Sequence, residues 1–337
     1  MSGEMIKIQD LAGLSKPLTR LIEVIAQGVG AVSESYLIRR TAEARVHEIK
    51  VISKALANVG SEFGVPVVYD AGAVEVWQKP SDGTLILKSG TLEDRAGARQ
   101  EFRSRKMQEN VERITSIAAA EMSGATDVPN ERPDEDWVTR FFGTAQEIST
   151  SEMQELWGRI LAGEIKRPGS YSLRALDFLK NINKEEAGKF ERLGQFALES
   201  AGVTLIAVND KKWLEENRQI FQADHFQMGE LGLMYQSDLA LRVFIEEKEN
   251  DVAMMGDGHV LRLRRGKVTS EIKLTIWKFT TIGRELLSLI TKDFDEEYYE
   301  HVGRFFVSKG AEAEIGKVVE RIDRTRFRYE LIKKIEA

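Results

Sequence analysis

The residue types that do chemistry most often are sparse and scattered in this chain. Four histidines, His47, His225, His259 and His301, stand far apart, and there is no cysteine. Without cysteine there are no thiolate nucleophiles, disulfides, Cys-ligated zinc sites or iron–sulfur clusters. No HExxH pair, Walker A lysine motif, GxSxG elbow or Ser–His–Asp spacing occurs. Asp293, Glu297 and His301 recur every four residues, a spacing that can hold a cation on one helix face; a solvated polar face is the competing reading. Gly28-Val-Gly30 and Gly256-Asp-Gly258 are incomplete glycine fingerprints and read as structural. The expectation is a protein that is not an enzyme and needs no cofactor or metal.

Two patterns carry more. Met153, Leu156, Trp157, Ile160 and Leu161 form one apolar helical stripe that also bears Glu164. A carboxylate there needs a cation, and Arg174 follows just beyond the Pro168-Gly169 break. The pair either locks two helices and their turn or lines a pocket with Trp137, Arg140 and Trp157. The second pattern runs from His259 to Lys278, where Arg262, Arg264, Arg265, Lys267, Lys273 and Lys278 face the single acid Glu271. Leu261 and Leu263 alternate with arginines before Arg265-Gly266-Lys267, and Ile272, Leu274 and Ile276 alternate on the return. That reads as a hairpin with one apolar and one basic face. A solvated hairpin, a protein contact and a phosphate contact all fit it.

The elements that must position these residues are mostly helical. Apolar positions recur at helical spacing from Leu18 to Val59 and from Thr91 to Met122, with short β-branched runs between Val65 and Leu87. Asp134 caps a helix carrying Trp137, Phe141, Phe142 and Ala145, and Ser149 with Glu152 spells a capping box for the next. From Lys184 the order is helix, strand, helix, helix, two strands and a helix, the order of a winged helix; Phe294 to Ala337 reads as helical. The expected fold is mostly α (α+β). An N-terminal helical region (1–124) carries a β-insert at about 65–88, and a central helical array occupies 134–200. A winged-helix-like unit (184–290) and C-terminal helices (291–337) follow, and the polar stretch Gly124–Pro133 is the main boundary.

Composition bounds the function. With 42% hydrophobic and 30% charged residues the chain is globular rather than disordered. A net charge of -6 gives no global basic field, so any nucleic-acid contact must be local. No stretch reaches the roughly 20 apolar residues of a bilayer-spanning helix, and no signal peptide is visible, so a cytoplasmic protein is expected. Expected partners are a second copy of the chain or another protein, with nucleic acid as the alternative.

Several segments together resemble a bacterial family known only as a domain of unknown function. They are Ile38-Arg-Arg-Thr-Ala42, Arg105-Lys-Met-Gln-Glu-Asn-Val-Glu112, Asp136-Trp137 with Arg140-Phe-Phe142, Glu152 to Glu164, and Pro168 to Arg174. The resemblance spans most of the chain and is most specific from Asp136 to Leu176. Relatives are similar to abortive-infection and anti-phage proteins, which implies an association with defence; the chain itself is read as a non-enzymatic interaction or sensing protein. Glu230-Leu-Gly-Leu-Met234 and Phe279 to Leu286 resemble the segments that flank the wing in winged-helix regulators. That resemblance implies a frame used for either protein or nucleic acid.

Overall fold

The computed structural model describes residues 15–30, 67–70, 73–76, 91–123, 125, 127–246, 249–322 and 326–336. Ten helices and ten strands lie within them, so the chain is α+β. It divides into two compact units, Met1–Ser170 and Tyr171–Ala337. The polar stretch 124–133 therefore lies inside the first unit, and the helical array 134–200 runs across the division.

In the first unit, α1 (Lys16–Val29) begins with Pro17, where a missing N–H breaks no helical bond, and stops at Gly30 with φ 81°. Strands β1 (Val67–Asp70) and β2 (Ala73–Val76) pair antiparallel, while the third expected run, 84–88, and Ile38–Ala42 lie outside the described residues. Helix α2 (Leu92–Met122) starts at a capping box of Thr91 and Asp94. Helix α3 (Glu135–Ala145) is capped by Asp134, as its sequence predicts. The expected Ser149–Glu152 capping box does not form. Helix α4 (Ser151–Lys166) starts behind Thr150, and Ser149 Oγ lies 3.5 Å from the Asn110 amide nitrogen.

Apolar side chains from four helices make this core: Leu21 and Ile25, Ile114 and Met122, Trp137 and Phe141, Trp157 and Leu161. Gly158 lets α4 lie against α2, because a Cβ there would meet the Ile117 side chain at 2.4 Å. Two buried amides pin the α3–α4 corner: Gln154 donates to the Ile148 carbonyl at 2.9 Å and Asn110 to the Gln146 carbonyl at 2.8 Å.

The second unit contains α5 (Leu173–Asn181), α6 (Lys184–Gln195), α7 (Lys211–Arg218), α8 (Gln222–Glu230), α9 (Thr281–Leu287) and α10 (Glu296–Val307). Its strands are β3 (Leu198–Ser200), β4 (Val203–Ala207), β5 (Leu239–Val243), β6 (Asp251–Gly256), β7 (His259–Arg264), β8 (Ile272–Lys278), β9 (Glu312–Arg321) and β10 (Phe327–Ile335). They form one eight-stranded antiparallel sheet in the order β10-β9-β7-β6-β3-β4-β8-β5. Between β3 and β6 the ladder has one residue couple, Glu199 with Met255. Helix α10 packs on the β7–β9–β10 end, where Gly303 leaves room for the Ile335 side chain.

Two expectations are corrected here. Among its described residues the stretch 294–337 is helical only in α10. Ala311, Ala313 and Ile315 alternate with Glu312 and Glu314, a period of two that turns Ala313 and Ile315 into the core. Likewise β7 and β8 are not a hairpin, since β7 lies between β6 and β9 and β8 between β4 and β5. The tight turn is Asp257-Gly258, with φ 48° and 68°, the signature of a two-residue turn matched to strand twist. Arg265-Gly266-Lys267 instead opens a crossover, anchored by the Lys267 N–H on the Gly310 carbonyl at 2.8 Å.

Candidate functional site

The residues expected to line a pocket in the first unit are core and surface. Trp137 stacks on Phe141 at 5.0 Å, and Phe141 meets Trp157 at 5.1 Å. Both indole N–H groups are buried without an acceptor, which leaves packing as their role. Arg140 is exposed. Glu164 is buried, and its carboxylate accepts the Gly169 N–H at 2.6 Å, closing the turn at the end of α4. Arg174 is exposed in the first turn of α5, in the second unit.

The expected basic wing is largely neutralised within its own sheet. Arg262 sits opposite Glu314 in the ladder, donates to Asp251 at 2.8 Å and to the Tyr329 hydroxyl at 2.7 Å, and lies 3.5 Å from Glu314. Arg264 donates to Glu314 at 3.0 Å. Arg265 is held by the Phe244, Glu246 and Glu249 carbonyls. Lys273 lies 3.5 Å from Glu271, which Arg242 also engages at 2.9 Å. Lys278 lies over the Tyr235 ring at 5.0 Å, so of the six cations the side chain of Lys267 alone meets no partner among the described residues. Alternation along β7 brought these arginines to one face, and the acids that answer them come from β6 and β9.

The helix pair α7–α8 presents a different surface. Asp210 caps α7, and Arg218 at its end lies over the Trp213 ring at 4.9 Å; His301 stacks on that indole at 4.2 Å. Arg218 also binds Glu297, so Glu297 and His301 do not act together as cation ligands. Among the described residues no cluster of His, Asp and Glu is arranged to hold a metal ion. Beyond Arg218 there is no Lys or Arg from Gln219 to Leu241. Phe221, Phe226 and Tyr235 are instead 41%, 48% and 46% exposed.

A cleft of about 380 Å³ lies beside the β6–β7 turn. Its apolar wall includes Leu198, Leu287 and Val318, and its polar groups are Glu199, Asp257, His259, Arg284, Lys292 and Arg321. The His259 ring stacks on Phe294 at 3.7 Å, and its Nδ1 lies 2.7 Å from the Asp257 carbonyl. A carbonyl only accepts, so the proton sits on Nδ1. Lys292 is half-buried, and its ammonium reaches the Ala197 carbonyl at 3.4 Å. Burial holds this amine below the usual lysine range, with Asp257 pulling the other way. Arg321 approaches Glu199 at 3.9 Å. Sequence reasoning missed Arg284, Lys292 and Arg321, because the first two fall on a helix and the loop after it with no shared spacing, and Arg321 is brought to them only by the sheet.

Among the described residues no helix is long and apolar enough to cross a membrane. No curated protein and no solved structure matches the chain. A family model does match, over residues 94–303, which takes in α2 through most of α10 and the whole stretch from Asp136 to Leu176. The chain belongs to the family described as Protein of unknown function (DUF2806).

Proposed function

We propose that this chain acts by binding and sensing, without catalysis, and that its second unit is a protein-interaction module on a winged-helix-like frame. The frame is supported by the order α6, β4, α7, α8, β5, β8 and by the sheet order β4-β8-β5, with the β6–β7 hairpin inserted between β5 and β8. The observation that carries the reading is the surface around α8, the second helix of the pair. A helix that reads DNA needs cations against phosphate. Here the stretch from Gln219 to Leu241 has none, the cations that other elements bring beside it are engaged (Lys189 on Gln227, Arg192 near Asp224, Lys211 on Asp238, Lys278 over the Tyr235 ring), and it exposes Phe221, Phe226 and Tyr235. Exposed aromatic side chains of this kind favour a protein partner or a second copy. The wing arginines engaged by Asp251 and Glu314 support the same choice against nucleic acid. A cytoplasmic setting fits the absence of cysteine, and the link to bacterial anti-phage defence rests on the resemblance alone.

The test compares wild type with Phe221→Ser, Phe226→Ser and the triple change Arg264→Ala, Lys267→Ala, Lys273→Ala. Native mass measurement and co-purification should give one defined complex, of copies or with a partner, that both Phe variants lose and the triple variant keeps. Duplex DNA retention should be weak in every form. Tight, salt-sensitive DNA binding that the triple variant alone loses would overturn the reading in favour of a nucleic-acid regulator.

A further inference from the structure

The cleft beside the β6–β7 turn holds an imbalance that the interaction reading does not use. Arg284 and Lys292 both line it, and among the described residues neither makes an ion pair. Lys292 is the more telling of the two. An ammonium has three N–H donors. This one is partly withdrawn from water and has a single long bond, to the Ala197 carbonyl at 3.4 Å. Asp257 attracts this ammonium but forms no ion pair with it, and withdrawing a cation from water with its donors incompletely paired is unfavourable, so an anion in the cleft supplies what is missing.

The other polar groups narrow the occupant. Arg321 already faces Glu199 at 3.9 Å, which leaves Arg284 and Lys292 for the ligand. Asp257 and Glu199 accept hydrogen bonds and repel negative charge, so the occupant's charge must be compact and its remainder neutral or hydroxyl-bearing. Leu198, Leu287 and Val318 offer that remainder an apolar wall. A volume of about 380 Å³ is of the size that takes a small molecule.

We propose that this cleft binds the phosphate group of a small phosphorylated molecule, with Lys292 and Arg284 as its cationic ligands. Arg284 supplies a planar fork that matches two phosphate oxygens, and Lys292 a point charge from the inner side. The site is built by separate segments: β3, the β6–β7 turn, α9, the loop ahead of α10 and β9. None of them carries a sequence motif for phosphate, which is why the inference comes from the geometry.

Inorganic phosphate is the probe, titrated into the full chain at pH 7.5 while its unfolding temperature is followed. Sodium chloride and sodium acetate at matched ionic strength are the controls. A ligand that binds only the folded state raises that temperature as its concentration passes its dissociation constant. Phosphate should stabilise wild type beyond both controls. Half-saturation should rise by about tenfold or more in Lys292→Met and in Arg284→Ala, and stay unchanged in the surface variant Lys309→Ala. Lys292→Met replaces an incompletely paired ammonium with an apolar chain of similar length. Isotope-edited spectra of its backbone amides serve as a second readout, with phosphate shifts around Asp257 to His259 present in wild type and lost in the variant. No phosphate effect beyond chloride would overturn the proposal, as would the same half-saturation in all four proteins. Stabilisation by acetate without phosphate would reassign the cleft to carboxylates.

Discussion

Arg218 and Asp295 meet side-on, with Nη2 donating to Oδ1 at 2.9 Å and Nε to Oδ2 at 2.5 Å, so one planar fork ties the end of α7 to the start of α10. The same carboxylate caps α10 by accepting the Tyr298 N–H at 2.9 Å. Burial pushes this carboxyl up, but the Arg218 and Tyr298 bonds outweigh it and leave it below the usual range. Arg218→Met should destabilise the second unit by about 2 kcal/mol, since bonds to charged groups contribute about 1.5–3. Asp295→Asn should do the same and lose less on acidification. Asp295 binds its proton more weakly folded than unfolded, so its stabilisation is complete above the unfolded value near ~3.9 and fades as pH falls toward the folded one. Denaturant titration of both single variants and the double variant tests this, with the double costing less than the two singles together.

His225 gives a pH dependence nearer neutrality. It is fully buried, stacks on Trp277 at 4.2 Å, and places Nε2 2.8 Å from the Tyr235 carbonyl. Burial lowers its pKa, the Tyr235 carbonyl and Asp238 oppose this, and Lys211 adds to the lowering. The unfolded chain, near ~6.5, therefore takes the proton first. Stability should be complete above that value and decline as pH falls below it, by at most ~1.4 kcal/mol per pH unit for each such group. His225→Phe should keep the stack and flatten the decline between pH 7 and 5.5. His301, also lowered by burial, accounts for the slope that remains.

Two glycines separate packing from helix propensity. A Cβ on Gly283, in α9, would meet the Leu233 carbonyl oxygen at 2.0 Å. Backbone cannot swing aside, so Gly283→Ala should destabilise by about 3 kcal/mol. On Gly188, inside α6, nothing lies within 4 Å, and Gly188→Ala should stabilise by about 0.5–1 kcal/mol. Midpoints in urea decide both; equal shifts would contradict the tight approach of α9 to Leu233.

Glu164 tests the turn that closes α4. Glu164→Ala removes a buried acceptor from the Gly169 N–H and should cost about 2–3 kcal/mol. Glu164→Gln keeps an acceptor and should cost less. A change under about 0.5 kcal/mol for the alanine variant, the usual range at exposed positions, would contradict its burial.

The helices were legible where caps and stripes agreed. Asp134 with Trp137 and Phe141 forms the helix its spacing predicts. The failures share one cause. Glu312 to Ile335 is rich in Ala, Glu, Lys and Arg, which favour helices, yet pairing of β9 with β7 and of β10 with β9 overrode propensity and made strands. Arg265-Gly266-Lys267 looked like the hairpin turn because it lies between two alternating runs. The pairing partners of β7 stand elsewhere in the chain, and no local pattern reveals them. Glu164 was legible as a buried acid because it broke an apolar stripe. Lys292 was not, because its loop has no stripe to break.

A sheet is as stiff as its weakest ladder, and here that ladder is known. Four strands lie on each side of the Glu199–Met255 couple, and no second residue pair joins β3 to β6. At this joint the backbone ladder is reduced to one couple, and side chains of α10 span it: the Tyr298 hydroxyl accepts the Ala207 N–H of β4 at 2.9 Å, and the Tyr299 hydroxyl donates to the Gly256 carbonyl of β6 at 2.7 Å. The cleft occupies this joint, with Glu199, Met255 and Gly256 in its lining. The cohesion of this joint therefore rests on α10 as much as on strand pairing.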